Sequence, residues 1–504
     1  MAPGALLQQM SCVDRPSKKI KRSDTAELHS KESEDAAAVL PSHPLGVKPL
    51  GNAYTATENI KLRCGAFARL PDELLNHFLE TLDGETLVRL GSTCKALYAF
   101  TRADDLWRSL FVESSPENFT WHATWRSTYL GIPEEHVSTI SCKNLFSDVL
   151  YRPFQCANTP LEPFTSNIPQ RNQILRLPDL THEEFSTSYT DTPFILTSPV
   201  KEWPIYGQWT PETLLSKYPS VKFRAEAVDW PLETYMSYTS NNTDESPLYL
   251  FDRAFVEKTS ITVGRDEPNS SYWSPDCFGD DLFHVLGSQR PDHRWMIMGP
   301  KRSGSTFHKD PNATSAWNAV LTGSKYWLMF PSRPGVEPPP GIILSEDQSE
   351  ITSPLSIAEY LLTFHAEARR TPGCREGICY AGEVLHVPSG WFHLVLNLGD
   401  SLALTQNFVP RKRLGDVLSF LRDQSENISG FKDDVEDAFG LFTEKLRKKD
   451  PELLEEGLKE LEKKAKKGRG KWEELTKPKE EEESGGGFSF GFGFGGDDDD
   501  AEIP

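Results

Sequence analysis

Several features are scarce in these 504 residues, and each scarcity removes a class of protein. The eight cysteines, at positions 12, 64, 94, 142, 156, 277, 374 and 379, contain no repeated CxxC pair, which argues against a zinc ribbon or knuckle. A chain this long has no need of a disulfide scaffold, and its N-terminus lacks a secretory apolar stretch. The thiols are therefore expected to be reduced and the chain intracellular and soluble. No apolar run approaches the ~20 residues that a membrane-spanning helix needs, so no membrane role is expected. Positive charge is in deficit: 54 Lys and Arg against 74 Asp and Glu give a net charge of −20. That balance counts against nucleic acid as a partner, although basic runs near Arg15–Arg22 and Lys459–Lys471 leave local contacts open. Lys18-Lys19-Ile20-Lys21-Arg22 has the character of a nuclear-localisation signal, with the cytoplasm as a second compartment; a solvated charge cluster in a flexible tail explains it equally well.

What is present is enough apolar material for a real core: 38% of residues, with 28 Phe and 12 Trp. The length exceeds what one core normally organises, so two or three domains are expected. Residues 1–60 mix Ser, Lys, Glu and Pro without a period and read as a disordered tail. Over 67–111 short helical patterns take over. Leu70-Pro71-Asp72-Glu73 sets a proline and acids at a helix start, and Leu74, Leu75, Phe78, Leu79 and Leu82 recur at helical spacing. Leu87, Leu90, Cys94 and Leu97 form a second stripe, and Asp104-Asp105-Leu106-Trp107 opens a third. Residues 112–170 read as linker and helical support, with 131–170 wrapped on a surface. From 171 to 410 short apolar runs alternate with Gly and Pro, as in an antiparallel sandwich or barrel. Helical patterning returns over 411–465. Residues 466–504 turn Lys/Glu-rich, then Gly/Phe-rich, then acidic, and are expected to be disordered.

The sharpest chemical signal is Thr306-Phe307-His308-Lys309-Asp310-Pro311. Residues two apart on a strand share a face, so His308 and Asp310 can grip one ion together. Alone, such a pair arises easily in a chain with 12 His. The best third ligand is His393, in the turn Pro388-Ser389-Gly390-Trp391-Phe392-His393. Two imidazoles and a carboxylate on one side of a metal make the facial triad of non-haem Fe(II) oxygenases, which leaves room for a 2-oxo acid and O2. Lys309 lies on the opposite face. His386, an odd offset from His393, also faces away and is read as structural, and Glu383 beside it is a weaker alternative ligand. Cys374 and Cys379 read as free buried thiols.

Further motifs sharpen this picture: Asp244–Asp252, Asp280-Asp281-Leu282-Phe283, Arg294–Pro300, Ser315-Ala316-Trp317-Asn318, Gly323–Trp327, Leu396-Asn397-Leu398 and Ala403–Phe408. With them the chain from Phe194 to Pro410 resembles the jumonji C (JmjC) oxygenases, in particular the branch of lysyl hydroxylases and arginine demethylases. The resemblance implies a mainly β fold, a double-stranded β-helix (jelly roll, cupin), with Fe(II), 2-oxoglutarate and O2 as cofactors and protein as substrate. It implies that His308, Asp310 and His393 bind iron. Lys325 would pair with the distal carboxylate of 2-oxoglutarate, helped by the hydroxyls of Thr405 and Tyr249, with Asn318 beside it. Ser305 stands where relatives often carry Thr. A buried dicarboxylate needs such a cation and neutral donors, because an unpaired buried charge costs several kcal/mol.

Leu70-Pro71 through Trp107-Arg108-Ser109-Leu110-Phe111 resembles an F-box, the module that docks on the Skp-type adaptor of a cullin–RING ubiquitin ligase. Docking would use exposed apolar side chains such as Leu70, Leu74 and Leu75. Two readings follow: a protein-modifying oxygenase tied to a ligase, or a ligase substrate receptor whose jumonji fold only binds. The complete triad favours the first. An RNA-modifying oxygenase is a third reading, disfavoured by the acidic charge. The C-terminal helices are candidates for closing the sheet edge or for a homodimer contact.

Overall fold

The computed structural model describes residues 40–332, 336–345, 351–354 and 356–476. Nine strands form one sheet, ordered β1 (Leu175–Leu177), β2 (Phe194–Leu196), β15 (Glu383–Val387), β10 (Ser315–Thr322), β17 (Ser401–Phe408), β8 (Arg294–Gly299), β5 (Leu250–Asp252), β3 (Lys222–Ala225) and β4 (Val228–Pro231). A second sheet of four runs β14 (Arg375–Tyr380), β11 (Ser324–Phe330), β16 (Phe392–Asn397) and β9 (Gly304–His308). Two short ladders, β6 (Thr262–Val263) with β7 (Ser270–Tyr272) and β12 (Ile343–Leu344) with β13 (Ile351–Thr352), complete the set among the described residues. Apart from β1 with β2 and β6 with β7, the pairings are antiparallel. This is the expected mainly β double-sheet core.

The central strands read as nearly continuous apolar runs because both of their faces are covered. On β11, Trp327 and Met329 point between the sheets, where they meet Ala316, Val320, Leu385 and Val395. Tyr326, Leu328 and Phe330 point the other way, onto Tyr360 and Leu361 of the helix Ile357–Thr363. On β10, Trp317, Ala319 and Leu321 face outward into a larger cluster. That cluster also holds Leu75, Leu87, Phe100, Trp107 and Phe111, so the N-terminal helices share one core with the outer face of the large sheet.

Those helices are α1 (Asp72–Glu80), α2 (Gly84–Gly91), α3 (Lys95–Phe100) and α4 (Asp104–Ser114), followed by α5 (Trp125–Leu130) and α6 (Asp148–Asn158). Asp83 caps α2 by accepting from the Thr86 N–H, and acids occupy the first turns of α1 and α4, where the helix dipole favours them. Three C-terminal helices, Leu414–Asp423, Ala438–Lys449 and Pro451–Thr476, build their own cluster with Leu282, Phe283 and Leu286.

Four expectations need correction. Residues 40–60 are not a disordered tail: Val47 is 2% exposed, and Lys48 bridges to Phe146. Residues 131–170 are more than a surface linker, since they contain α6 and fully buried Cys142 and Leu145. The last helix continues to Thr476, past the expected limit of 465. Leu75 is 0% exposed and belongs to the core, whereas Leu74 is 57% and Phe78 40% exposed. A helix face is fixed by what packs under it, and apolar spacing alone did not separate Leu74 from Leu75. The basic run Lys18–Arg22 and the Gly/Phe and acidic tail lie outside the described residues.

Candidate active site

The three expected ligands come together. One ligand atom each from His308, Asp310 and His393 lies within 4.8 Å of the others. The sheet register explains how residues 85 positions apart in sequence meet, for His308 on β9 is the direct antiparallel partner of His393 on β16. Their ring centroids are 4.1 Å apart. Each imidazole is oriented by its own backbone: His308 Nδ1 lies 2.8 Å from the Thr306 carbonyl and His393 Nδ1 3.0 Å from the Trp391 carbonyl. A carbonyl only accepts, so both Nδ1 atoms carry the proton and both Nε2 lone pairs are free for a metal. Trp327 stacks at 5.9 Å on His393 and holds its rotamer.

The electrostatics of the cluster suit a cation ligand set. Desolvation raises the Asp310 carboxyl above its ordinary range, with His308 and a hydrogen bond from Asn407 opposing, and desolvation holds His393 well below its ordinary value. Asp310 Oδ2 is buried without a hydrogen-bond partner among the described residues, as is Asn318 Oδ1. An orphaned buried carboxylate oxygen clustered with two imidazoles is what a bound metal would satisfy.

Lys325 is the second feature. Its side chain is fully buried on β11, and Nζ donates to Tyr249 Oη at 2.7 Å and to Asn397 Oδ1 at 2.7 Å. No carboxylate is among these partners, and burial pulls the ammonium down to about 7. A buried cation with only neutral partners is incomplete until an anion arrives. Asn318 and Thr405 are direct partners across β10 and β17, so their side chains share a face. Here the Thr405 hydroxyl donates to the Trp317 carbonyl at 2.8 Å.

Ser305 is placed by an irregularity. It lies an odd three positions before His308, which on a regular strand would turn it to the other face. The register, however, pairs His308 with His393 and Ser305 with Val395, so β9 carries one residue more than β16 between them. That bulge returns Ser305 to the face of His308.

Sequence reasoning missed Asn397 and Asn407. Asn397 lies opposite Lys325 in the ladder, accepts from its ammonium, and donates from Nδ2 to Ser303 Oγ at 2.8 Å. Asn407, on β17, donates to Thr314 Oγ1 at 2.8 Å beside Asp310. A buried Asn between apolar strand residues was the available signal. The structural readings of other residues agree with their surroundings. His386 points outward among Phe185, Phe194, Phe278 and Phe408, hydrogen-bonding only backbone. Glu383 pairs with Arg176 and accepts the Tyr380 N–H. Lys309 lies with Nζ 5.0 Å from the Phe392 ring centroid, and Cys374 and Cys379 are free and buried.

Comparison with known proteins gives the same result independently. The family model described as JmjC domain, hydroxylase matches residues 295–408, inside the span expected from the motifs, and an F-box-like model matches 67–113. Among relatives, an Arabidopsis thaliana protein named arginine-specific demethylase JMJ22 is 37% identical over 450 residues, covering 85% of each chain. The Caenorhabditis elegans bifunctional arginine demethylase and lysyl-hydroxylase psr-1 is 34% identical over 264 residues, 48% of this chain and 62% of that one. The Danio rerio 2-oxoglutarate and iron-dependent oxygenase JMJD4 is 33% identical over 214 residues, 39% of this chain and 46% of that one. With the sheet order, the converging triad and this likeness over most of its length, the chain belongs to the JmjC family, behind an F-box-like domain.

Proposed function

We propose that this chain is an Fe(II)- and 2-oxoglutarate-dependent oxygenase that hydroxylates or demethylates Lys or Arg side chains of protein. The observation that carries the reading is the set of three ligand atoms within 4.8 Å of one another, with a carboxylate oxygen of Asp310 left unsatisfied. His308, Asp310 and His393 would hold iron. Lys325 with Tyr249 would take the distal carboxylate of 2-oxoglutarate, flanked by Asn318, Thr405 and Ser305. Iron and O2 with 2-oxoglutarate supply the oxidation of a substrate C–H bond, yielding succinate and CO2 alongside an alcohol, or formaldehyde when the carbon is bonded to nitrogen.

The chain's own residues do the rest. Both imidazoles arrive aimed, because the backbone carbonyls that hold each Nδ1–H fix the ring orientation and leave Nε2 to face a metal. Lys325 supplies positive charge in a water-free wall, where a charge-assisted bond is strongest. The double sheet excludes water from this wall through Trp327, Met329 and Val395. Purified protein should turn 2-oxoglutarate into succinate only with Fe(II), and His308→Ala should abolish that turnover. Turnover that survives the change removes the iron assignment.

A Skp-type adaptor is the partner that the F-box-like helices suggest, with Leu74 and Phe78 of α1 as the apolar side chains open to it. Nuclear residence, carried by Lys18–Arg22, is proposed with it; a fluorescent fusion that stays nuclear after that run is changed to alanine would contradict it. The apolar stripe of the C-terminal helices, Phe442, Leu446, Leu453, Leu454 and Leu461, is buried within the chain. A homodimer through these helices would have to use their other faces, and sedimentation equilibrium decides it.

A further inference from the structure

Tyr249, which meets Lys325, is not held by the oxygenase sheets alone. The segment 244–250 that carries it is clamped on one side by Tyr235 and Tyr238 and on the other by the N-terminal helices. Tyr238 Oη donates to Asp244 Oδ2 at 2.6 Å and accepts the Leu248 N–H at 2.8 Å, and Tyr235 Oη accepts the Leu250 N–H at 3.2 Å. From α5, Trp125 Nε1 donates to the same Asp244 at 2.9 Å. From α4, Arg108 donates through Nη1 to the Ser246 carbonyl at 3.1 Å and through Nη2 to Glu226 Oε2 at 2.6 Å. The other oxygen of Glu226 accepts the Tyr249 N–H at 3.1 Å. An unbroken path therefore runs from the F-box-like helix α4 through Arg108, Glu226 and Tyr249 to Lys325.

The backbone of Glu226 supports a selected role. It sits in the tight turn between β3 and β4, where Ala225 pairs with Val228, and its φ is +49°. That left-handed conformation is strained for a residue with a Cβ and is the usual province of glycine. A glutamate there is accounted for by the two bonds its carboxylate makes.

We propose that the F-box-like helices are part of the 2-oxoglutarate pocket, with Arg108 and Glu226 acting as positioning residues that set Tyr249 against Lys325. This rests on the pocket reading given above. It makes the N-terminal helices more than a docking tag, since a change in α4 reaches the cofactor wall through a strap of seven residues.

The test uses the full chain loaded with Mn(II) in the absence of O2, titrated with 2-oxoglutarate by calorimetry, alongside Mn(II) affinity and melting temperature. Arg108→Ala and Glu226→Gly should each weaken 2-oxoglutarate binding about tenfold while leaving Mn(II) affinity unchanged. Glu226→Gly relieves the left-handed strain and so offsets part of the loss of its two hydrogen bonds. Its melting temperature should fall less than that of Glu226→Ala while 2-oxoglutarate binding weakens equally in both, which separates positioning from general stability. Arg108→Lys, able to pair with Glu226 but not to reach Ser246 as well, should restore part of the affinity. The double variant should bind no more weakly than the weaker single one. Affinity within twofold of wild type in both single variants overturns the proposal. Lys325→Met is the control for the pocket itself: if it binds normally, the pocket reading fails and this inference with it. If Lys325→Met is weakened while Arg108→Ala and Glu226→Gly are not, only the positioning role falls.

Discussion

Replacing Lys325 by Met should push stability and cofactor binding in opposite directions. In the protein without 2-oxoglutarate, burial brings the Lys325 ammonium from 10.5 down to about 7. At about 1.4 kcal/mol per tenfold, keeping it charged below pH 7 costs the fold about 5 kcal/mol, an order-of-magnitude figure. Met has a similar volume and no charge, so that cost disappears. Against it, Tyr249 and Asn397 lose their partner, which costs about 1–3 kcal/mol. The balance is a gain of about 3 kcal/mol at pH 6, several degrees in melting temperature. The sign with pH follows from the lowered value. Between about 7 and 10.5 the unfolded chain binds more protons at this site than the folded one, so wild-type stability rises with pH there. The advantage of Lys325→Met should therefore be full at pH 6 and gone above pH 10.5. Binding moves the other way: without the buried cation, 2-oxoglutarate should lose about 3–4 kcal/mol, two to three orders of magnitude in Kd. Scanning fluorimetry at several pH values and anaerobic calorimetry read the two effects. A variant that melts several degrees lower at pH 6 and binds 2-oxoglutarate within tenfold of wild type would refute the reasoning.

Further outcomes are expected. In the wild type, the Kd for 2-oxoglutarate should rise toward tenfold per pH unit above 7, because binding then requires Lys325 to take up a proton; a flat profile from pH 6.5 to 8.5 contradicts this. A Cβ at Gly299 would lie 2.8 Å from Tyr249 Cδ2 and against Ser303, so Gly299→Ala should raise the KM for 2-oxoglutarate several-fold in steady-state assays. His386→Ala should destabilise by about 3 kcal/mol in chemical denaturation yet keep iron stoichiometry, whereas His393→Ala should lose iron. Changing Leu74 and Phe78 together to Asp should abolish co-purification of a Skp-type adaptor without lowering 2-oxoglutarate turnover. Deleting 67–111 is a poor substitute, because it strips a shared core from the large sheet.

The ligand triad was legible because its chemistry is local: a His at a strand end with an Asp two residues on, just past the strand in extended conformation, and a second His behind a Pro-Ser-Gly-Trp turn. Domain order was legible because apolar period and turn residues change along the chain. Other features had no one-dimensional signature. The family resemblance points to Ser305, but strand period alone would turn it away from His308, and only the bulge in β9 brings it back. Leu75 and Leu74 are neighbours of equal hydropathy, and only the packing of α1 on the core buries one and exposes the other. Asn397 became part of the site through its register with Lys325.

By itself, then, the sequence determined which atoms are available to hold a metal and an anion, because residue type and strand period are written in it. The tertiary structure alone decided which neutral groups surround the buried ammonium and which helix steadies Tyr249. Arg108, Glu226 and Tyr249 come from three separate parts of the chain, and hydrogen bonds between such parts exist only once the shared core has brought their elements into contact.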